Sequence, residues 1–259
     1  MSTTILDKIL AEKHKEVAEL KQSFQAGKPV KRQDKGSLYD RFSRSGKMNV
    51  ISEIKRASPS KGEINAGVDP VKQAIQYEAS GADAISVLTD TPFFKGTMED
   101  LMAVRQAVDV PVLCKDFIID QIQITRAAAA GADVILLIAA ALDQDQLRSL
   151  YRYAKEQQLD VLLEVHNEEE MERALAVDAD VIGVNNRNLK TFMVDLGITE
   201  RLLAAYYEPN KVFISESGMR TTEDVERVKQ AGAKGILVGE TFMRSTNIAE
   251  TFQQLKTSL

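Results

Sequence analysis

Short apolar runs that end in polar residues alternate along the chain with longer stretches whose apolar positions recur at helical spacing. Four of the runs form a repeat in which small residues close a helix and lead into a strand. They are EASGADAISVL from Glu78, AAAGADVILLI from Ala128, LAVDADVIGVN from Leu175 and KQAGAKGILVG from Lys229, spaced by 50, 47 and 54 residues. Four more runs lie between or before them: NVISEIK from Asn49, PVLCKD from Pro111, DVLLEV from Asp160 and KVFISE from Lys211. Each repeat therefore spans two strand-helix units, and the pattern predicts eight strands. The helical stretches carry their own start and stop signals. Asp69 is placed to cap a helix that has Pro70 at its first position and Gly81 just past its end. Thr97 with Asp100, Asp143 with Gln146 and Asn167 with Glu170 have capping-box spacing.

Strict alternation of strand and helix implies a parallel sheet. Eight units between Asn49 and Leu259, about 26 residues each, have the size of a closed (β/α)8 (TIM) barrel. An open doubly wound sheet is the alternative, and the fourfold repeat fits it less well. Residues 1–48 are left over. Ile5, Leu6, Ile9, Leu10, Val17 and Leu20 have helical spacing, and Gly27 to Gly36 is polar. These residues read as an N-terminal helical extension, with a linker, that caps one end of the barrel, so that residues 1–259 form one barrel domain.

Side chains alternate across a strand, so the apolar residues show which face points inward. Ile51 shares a face with Glu53 and Lys55, Leu113 with Lys115, Leu162 with Glu164, and Ile214 with Glu216, and Asn185 ends the sixth strand similarly. The predicted mouth at the C-terminal ends of the strands thus collects five ionisable groups and an amide. Burying such charge costs several kcal/mol per ion unless it is compensated, so a polar substrate explains the ring better than structure alone does.

Composition narrows the function further. In 259 residues, 44% are apolar and 27% charged, the net charge is −5, and the longest apolar run, Val134 to Leu142, has nine residues. Nucleic acid and membranes are not expected partners. The single cysteine, Cys114, faces away from Lys115 as a core residue, and with no secretory leader the expected compartment is cytoplasmic. Neither His14 nor His166 belongs to a zinc cluster or a serine triad, and there is no nucleotide-binding glycine loop.

Ser217 and Gly218 after the seventh strand, with Gly239 and Glu240 after the eighth, stand where barrels bind phosphate. Glu240 can offer an anion only its backbone amide. Phe94 and Phe117 fall beside Lys115 as faces that would sandwich a flat ring, and ASPSKG from Ala57 reads as a movable lid. Lys55 and Lys115 are expected to be close enough for each to disfavour the other's charge.

Six segments carry a resemblance: EIKRASPSKG from Glu53, KDF from Lys115, LLEVHN around Glu164, GVNNRNL from Gly183, ISESG from Ile214 and LVGETFM from Leu237. The chain resembles the indole-3-glycerol phosphate synthase family almost end to end, and the resemblance implies that residues 1–48 form an N-terminal helical extension over the barrel mouth. The resemblance implies a lyase of tryptophan biosynthesis with no metal or redox cofactor. Its small-molecule substrate would be 1-(2-carboxyphenylamino)-1-deoxyribulose 5-phosphate, closed to a pyrrole ring with loss of carbon dioxide and water. It also implies that Lys115 is the general acid on the ketone oxygen and that Glu164 is the general base or acid of dehydration. Glu53 and Asn185 would position water, hydroxyls and lysines. Lys55 would pair with anionic groups beside Ser58, Pro59 and Arg187. Ring contacts would come from Phe94, Phe117, Leu136 and Leu189, and the sugar-phosphate end from Glu216, Ser217, Gly218, Leu237, Gly239 and Glu240. A sugar-phosphate isomerase barrel, such as phosphoribosylanthranilate isomerase, and a non-catalytic phosphate-binding barrel are the alternatives.

Overall fold

A computed structural model describes residues 4–25, 37–59, 61–65 and 67–259. The polar stretch from Gly27 to Gly36 lies outside the described residues.

Eight parallel strands close into a barrel: β1 (Asn49–Ile54), β2 (Ala84–Leu88), β3 (Val112–Lys115), β4 (Val134–Ile138), β5 (Asp160–Val165), β6 (Val181–Asn185), β7 (Val212–Glu216) and β8 (Gly235–Val238). Each strand pairs with its neighbours in sequence, and β8 returns to β1 through Asn49–Gly235 and Ile51–Leu237. The closed order excludes the open sheet. Helices follow every strand and cover the outside, so both faces of the sheet are buried and the strands read as nearly continuous apolar runs.

Alternation divides the core in two. Ile51, Ala84, Leu113, Val134, Leu136, Leu162, Val181, Val212, Ile214 and Leu237 fill the interior. Val50, Ile85, Val87, Cys114, Ile135 and Leu163 pack outward against the helices. Burying a large aliphatic side chain stabilises by about 1.5 to 3 kcal/mol, so these two sets outweigh the charged mouth many times over.

The capping signals are realised with one difference. Thr97 with Asp100 and Asp143 with Gln146 form reciprocal boxes, and Asp69 accepts from the amides of Val71 and Lys72. Asn167 caps Glu168–Leu175, but the Glu170 carboxylate turns away from the cap amide to the backbone N–H and ring of His166.

The described residues of the leftover N-terminal segment form two helices, not one, and they go to opposite ends of the barrel. Helix α1 (Ile5–Ser23) lies at the C-terminal mouth, where Ile5, Leu6 and Ile9 face the central cavity. Its buried Lys13 sits 2.7 Å from Asp116 Oδ1 and 3.1 Å from Asp90 Oδ2, tying the helix to the loops after β3 and β2. Helix α2 (Leu38–Arg44) plugs the other end: Leu38 and Phe42 join the interior cluster, and the Leu38 amide donates to Asp160 Oδ2 at 2.5 Å. Gly235 has no side chain because a Cβ there would meet the Phe42 ring at 3.0 Å. Among the described residues of 1–48, α1 is therefore the helix over the mouth. No helix among the described residues is long and apolar enough to cross a membrane.

Candidate active site

The strand register sets the polar residues at one end. Glu53 pairs with Ser86, Leu88 with Lys115, Ile138 with Glu164, and Asn185 with Glu216, so the inward charges come together where the strands finish. They line a cavity of about 690 Å³ that also receives every other residue proposed from sequence. Leu136 and Leu237 form its floor within the barrel core. Ser58, Pro59, Phe94, Phe117, Arg187 and Leu189 enter from the segments that follow the strands, as do Ser217, Gly218, Gly239 and Glu240.

At the centre, Lys115 Nζ lies 2.7 Å from Glu216 Oε2, 3.6 Å from Glu164 Oε2 and 4.0 Å from Glu53 Oε2. Lys55 Nζ sits 2.5 Å from Glu53 Oε1. One carboxylate thus spans both lysines, which reverses the expectation that Lys55 depresses Lys115. Burial pulls the Lys115 ammonium toward deprotonation, but Glu216, Glu164 and Glu53 outweigh it and raise its pKa. Lysine 115 is a firmly held cation.

The carboxylates diverge. Burial pushes Glu164 up, yet Lys115, His166 and a hydrogen bond from Asn185 bring it down to about 2. Burial also opposes ionisation of Glu53, and Lys55 and Lys115 overcome it. In Glu216, burial and the neighbouring Glu164 charge prevail over Lys115, so its carboxyl is pushed up to about 7. Gly183 makes room for this group, because a Cβ there would collide with Glu216 Oε1.

The aromatic pair differs from its expected arrangement. Phe94 and Phe117 are 5.8 Å apart between ring centroids, tilted by 33°. A ring stacked between them would need about 7 Å, two van der Waals thicknesses. They touch each other and form one apolar wall instead, continued by Ile138, Ile5 and Leu6.

Across the cavity, Ser217 and Gly218 both take positive φ, 66° and 97°, in the turn after β7. Gly218 is doubly required, since a Cβ would also meet Val194 Cγ1 at 2.7 Å. Gly239 instead serves proximity: its Cβ would lie 2.7 Å from Glu53 Oε1. The Glu240 carboxylate is engaged by Arg244 Nε at 3.1 Å and Lys61 Nζ at 3.7 Å, which compensates its charge. The ASPSKG segment forms a small hairpin, Ala57–Ser58 against Gly62–Glu63, anchored by Arg56 to Asp100; Ser60 lies outside the described residues.

The indole-3-glycerol phosphate synthase family model matches residues 6–255, nearly the whole chain. The chain belongs to this family. Proteins of that name from Bacillus cereus and Bacillus mycoides (strain KBAB4) are 52% identical over 257 residues and 51% identical over 256. Each alignment covers 99% of both chains. Membership selects the synthase over the isomerase and the non-catalytic barrel.

Several residues of this synthase fold's cavity escape sequence reasoning. Ile5, Leu6 and Ile9 were legible as a helical stripe but not as cavity wall, and Arg220, Arg244 and Lys61 look like ordinary surface cations. His166, just past β5, contacts Glu164 Oε1 at 3.2 Å from behind the cavity.

Proposed function

We propose that this chain is an indole-3-glycerol phosphate synthase, acting in the cytoplasm as a single barrel unit on 1-(2-carboxyphenylamino)-1-deoxyribulose 5-phosphate. The observation that carries the reading is the cation Lys115 held by three carboxylates between an apolar wall and a left-handed backbone turn. The anthranilate ring lies against Phe94, Phe117, Leu136 and Leu189, and the phosphate meets the amides after β7 and β8. Lys55 and Arg187 neutralise the substrate's anionic groups, beside Ser58 and Pro59.

The ring carbon that carries the carboxylate attacks the ketone carbon. The electron pair moves to the ketone oxygen, which takes a proton from Lys115. A lysine with a raised pKa is fully loaded at neutral pH, and an alkoxide is more basic still, so the transfer runs downhill. The carboxylate then leaves as carbon dioxide, and its bonding pair restores the aromatic ring. Dehydration passes a proton from the adjacent carbon to the new hydroxyl, which leaves as water. Glu164, ionised at neutral pH, supports the role of base in that step rather than acid. Glu53 aligns both lysines, and Asn185 orients Glu164.

Incubating the purified protein with this substrate tests the reading. An indole-fluorescent product formed with release of carbon dioxide is expected. A folded protein that leaves the substrate unchanged overturns it.

A further inference from the structure

We propose that His166 is a positioning residue for Glu164, an imidazolium that fixes the direction of its carboxylate from behind the cavity. The inference rests on the reading of Glu164 as the base of dehydration.

His166 follows β5 by one residue and has a side chain only 11% exposed. Its two ring nitrogens meet different carboxylates: Nδ1 is hydrogen-bonded to Glu170 Oε2 at 2.9 Å, and Nε2 lies 3.2 Å from Glu164 Oε1 as a charge contact without the alignment of a hydrogen bond. With a carboxylate oxygen beside each nitrogen, the doubly protonated ring suits both neighbours, whereas a neutral imidazole would leave a lone pair against one of them. Burial disfavours the cation, but the carboxylates of Glu164 and Glu170 beside the ring raise its pKa to about 10.

Glu170 is itself held. Its Oε2 accepts the His166 backbone N–H at 2.8 Å, and its Oε1 accepts from Asn167 Nδ2 at 2.7 Å. The helix start that would have closed an ordinary capping box is used instead to anchor the imidazole.

Glu164 thus has a cation on each oxygen. Oε2 faces Lys115 at 3.6 Å, and Oε1 faces His166. Lys115 lines the cavity whereas His166 does not, so only the first cation reaches the substrate. When Lys115 gives up its proton, His166 becomes the remaining positive charge against Glu164. Glu53 and Glu216, also facing this group, both disfavour its ionisation unless a cation compensates.

The test compares single-turnover rates and pH profiles of wild type, His166→Leu, His166→Gln, Glu164→Gln and the double variant His166→Leu/Glu164→Gln. Glutamine keeps a polar side chain and removes the charge, which covers the case in which leucine impairs folding. Both His166 variants should lose about 10-fold in dehydration, the usual scale for an outer partner of a reacting group, with KM little changed. The acid limb of kcat should move to higher pH, because losing a cation raises the Glu164 pKa. In the Glu164→Gln background, losing His166 should add almost nothing.

Wild-type rate and an unmoved acid limb in both His166 variants would overturn the proposal. So would an equal loss with and without Glu164, which would mark His166 as structural. Normal turnover of Glu164→Gln would instead defeat the reading of Glu164 itself.

Discussion

Replacing Lys115 by Met removes the one charge that three buried carboxylates share, and the consequence should depend on pH in a specific direction. Glu53, Glu164 and Glu216 are 4%, 4% and 1% exposed, so none can turn to water for compensation. Breaking a buried pair by deleting one partner usually costs about 3 to 5 kcal/mol. Here Glu216 already holds its proton up to about 7, and taking that proton offsets part of the loss. We expect a destabilisation of about 2 to 3 kcal/mol at pH 8, a fall of roughly 5 to 10 °C in Tm for a domain of this size. The sign with pH follows from linkage. In wild type, Lys115 holds the Glu164 pKa below its unfolded value, a contribution present above the unfolded pKa and lost as pH falls through the folded one. In the variant the carboxyls titrate upward, so their contribution is lost as pH rises. The stability difference should therefore widen from pH 5 to pH 8. Urea unfolding of both proteins across that range measures it, and single-turnover ring closure should be slower by at least ~10²-fold at every pH. A stability difference independent of pH would refute the electrostatic reasoning, and normal ring closure would refute the role of Lys115 as acid.

Three further outcomes are expected. Glu164→Gln should lower turnover by roughly 10²-fold or more while product binding, measured by calorimetry, persists. Gly239→Ala places a methyl 2.7 Å from Glu53 Oε1 and 3.2 Å from its Cβ, so it should displace that carboxylate, cost about 1 to 3 kcal/mol and reduce kcat. Unchanged kcat and Tm would show that the strand end yields freely. Phe42→Ala, at the closed end of the barrel, should cost about 3 to 5 kcal/mol in urea unfolding yet leave kcat of the folded protein nearly normal.

The barrel was legible because strands buried on both faces must be apolar and because the small-residue helix ends recur at two-unit spacing. The charged mouth was legible for a related reason: period-two alternation carries Glu53, Lys115, Glu164 and Glu216 inward with the apolar residues before them. Alternation tells which residues share an end, not which lies between two others. The position of Glu53 between Lys55 and Lys115, and the charge state of Lys115 that follows, depended on coordinates. Phe94 and Phe117 were placed at the mouth by their loops, but their mutual contact is set by the path of those loops. Helix α2 was missed because a seven-residue segment offers barely two turns of periodicity. His166 lies where the strand ends, and alternation no longer says which way a side chain points.

The central claim is that Lys115 protonates the ketone oxygen during decarboxylative closure. The most direct measurement follows carbon dioxide and indole product together in a single turnover of the anilino-deoxyribulose phosphate by wild type and Lys115→Met. The account predicts equal amounts of both from wild type and substrate that stays bound but open in the variant. Closure by the variant at the wild-type rate would contradict it.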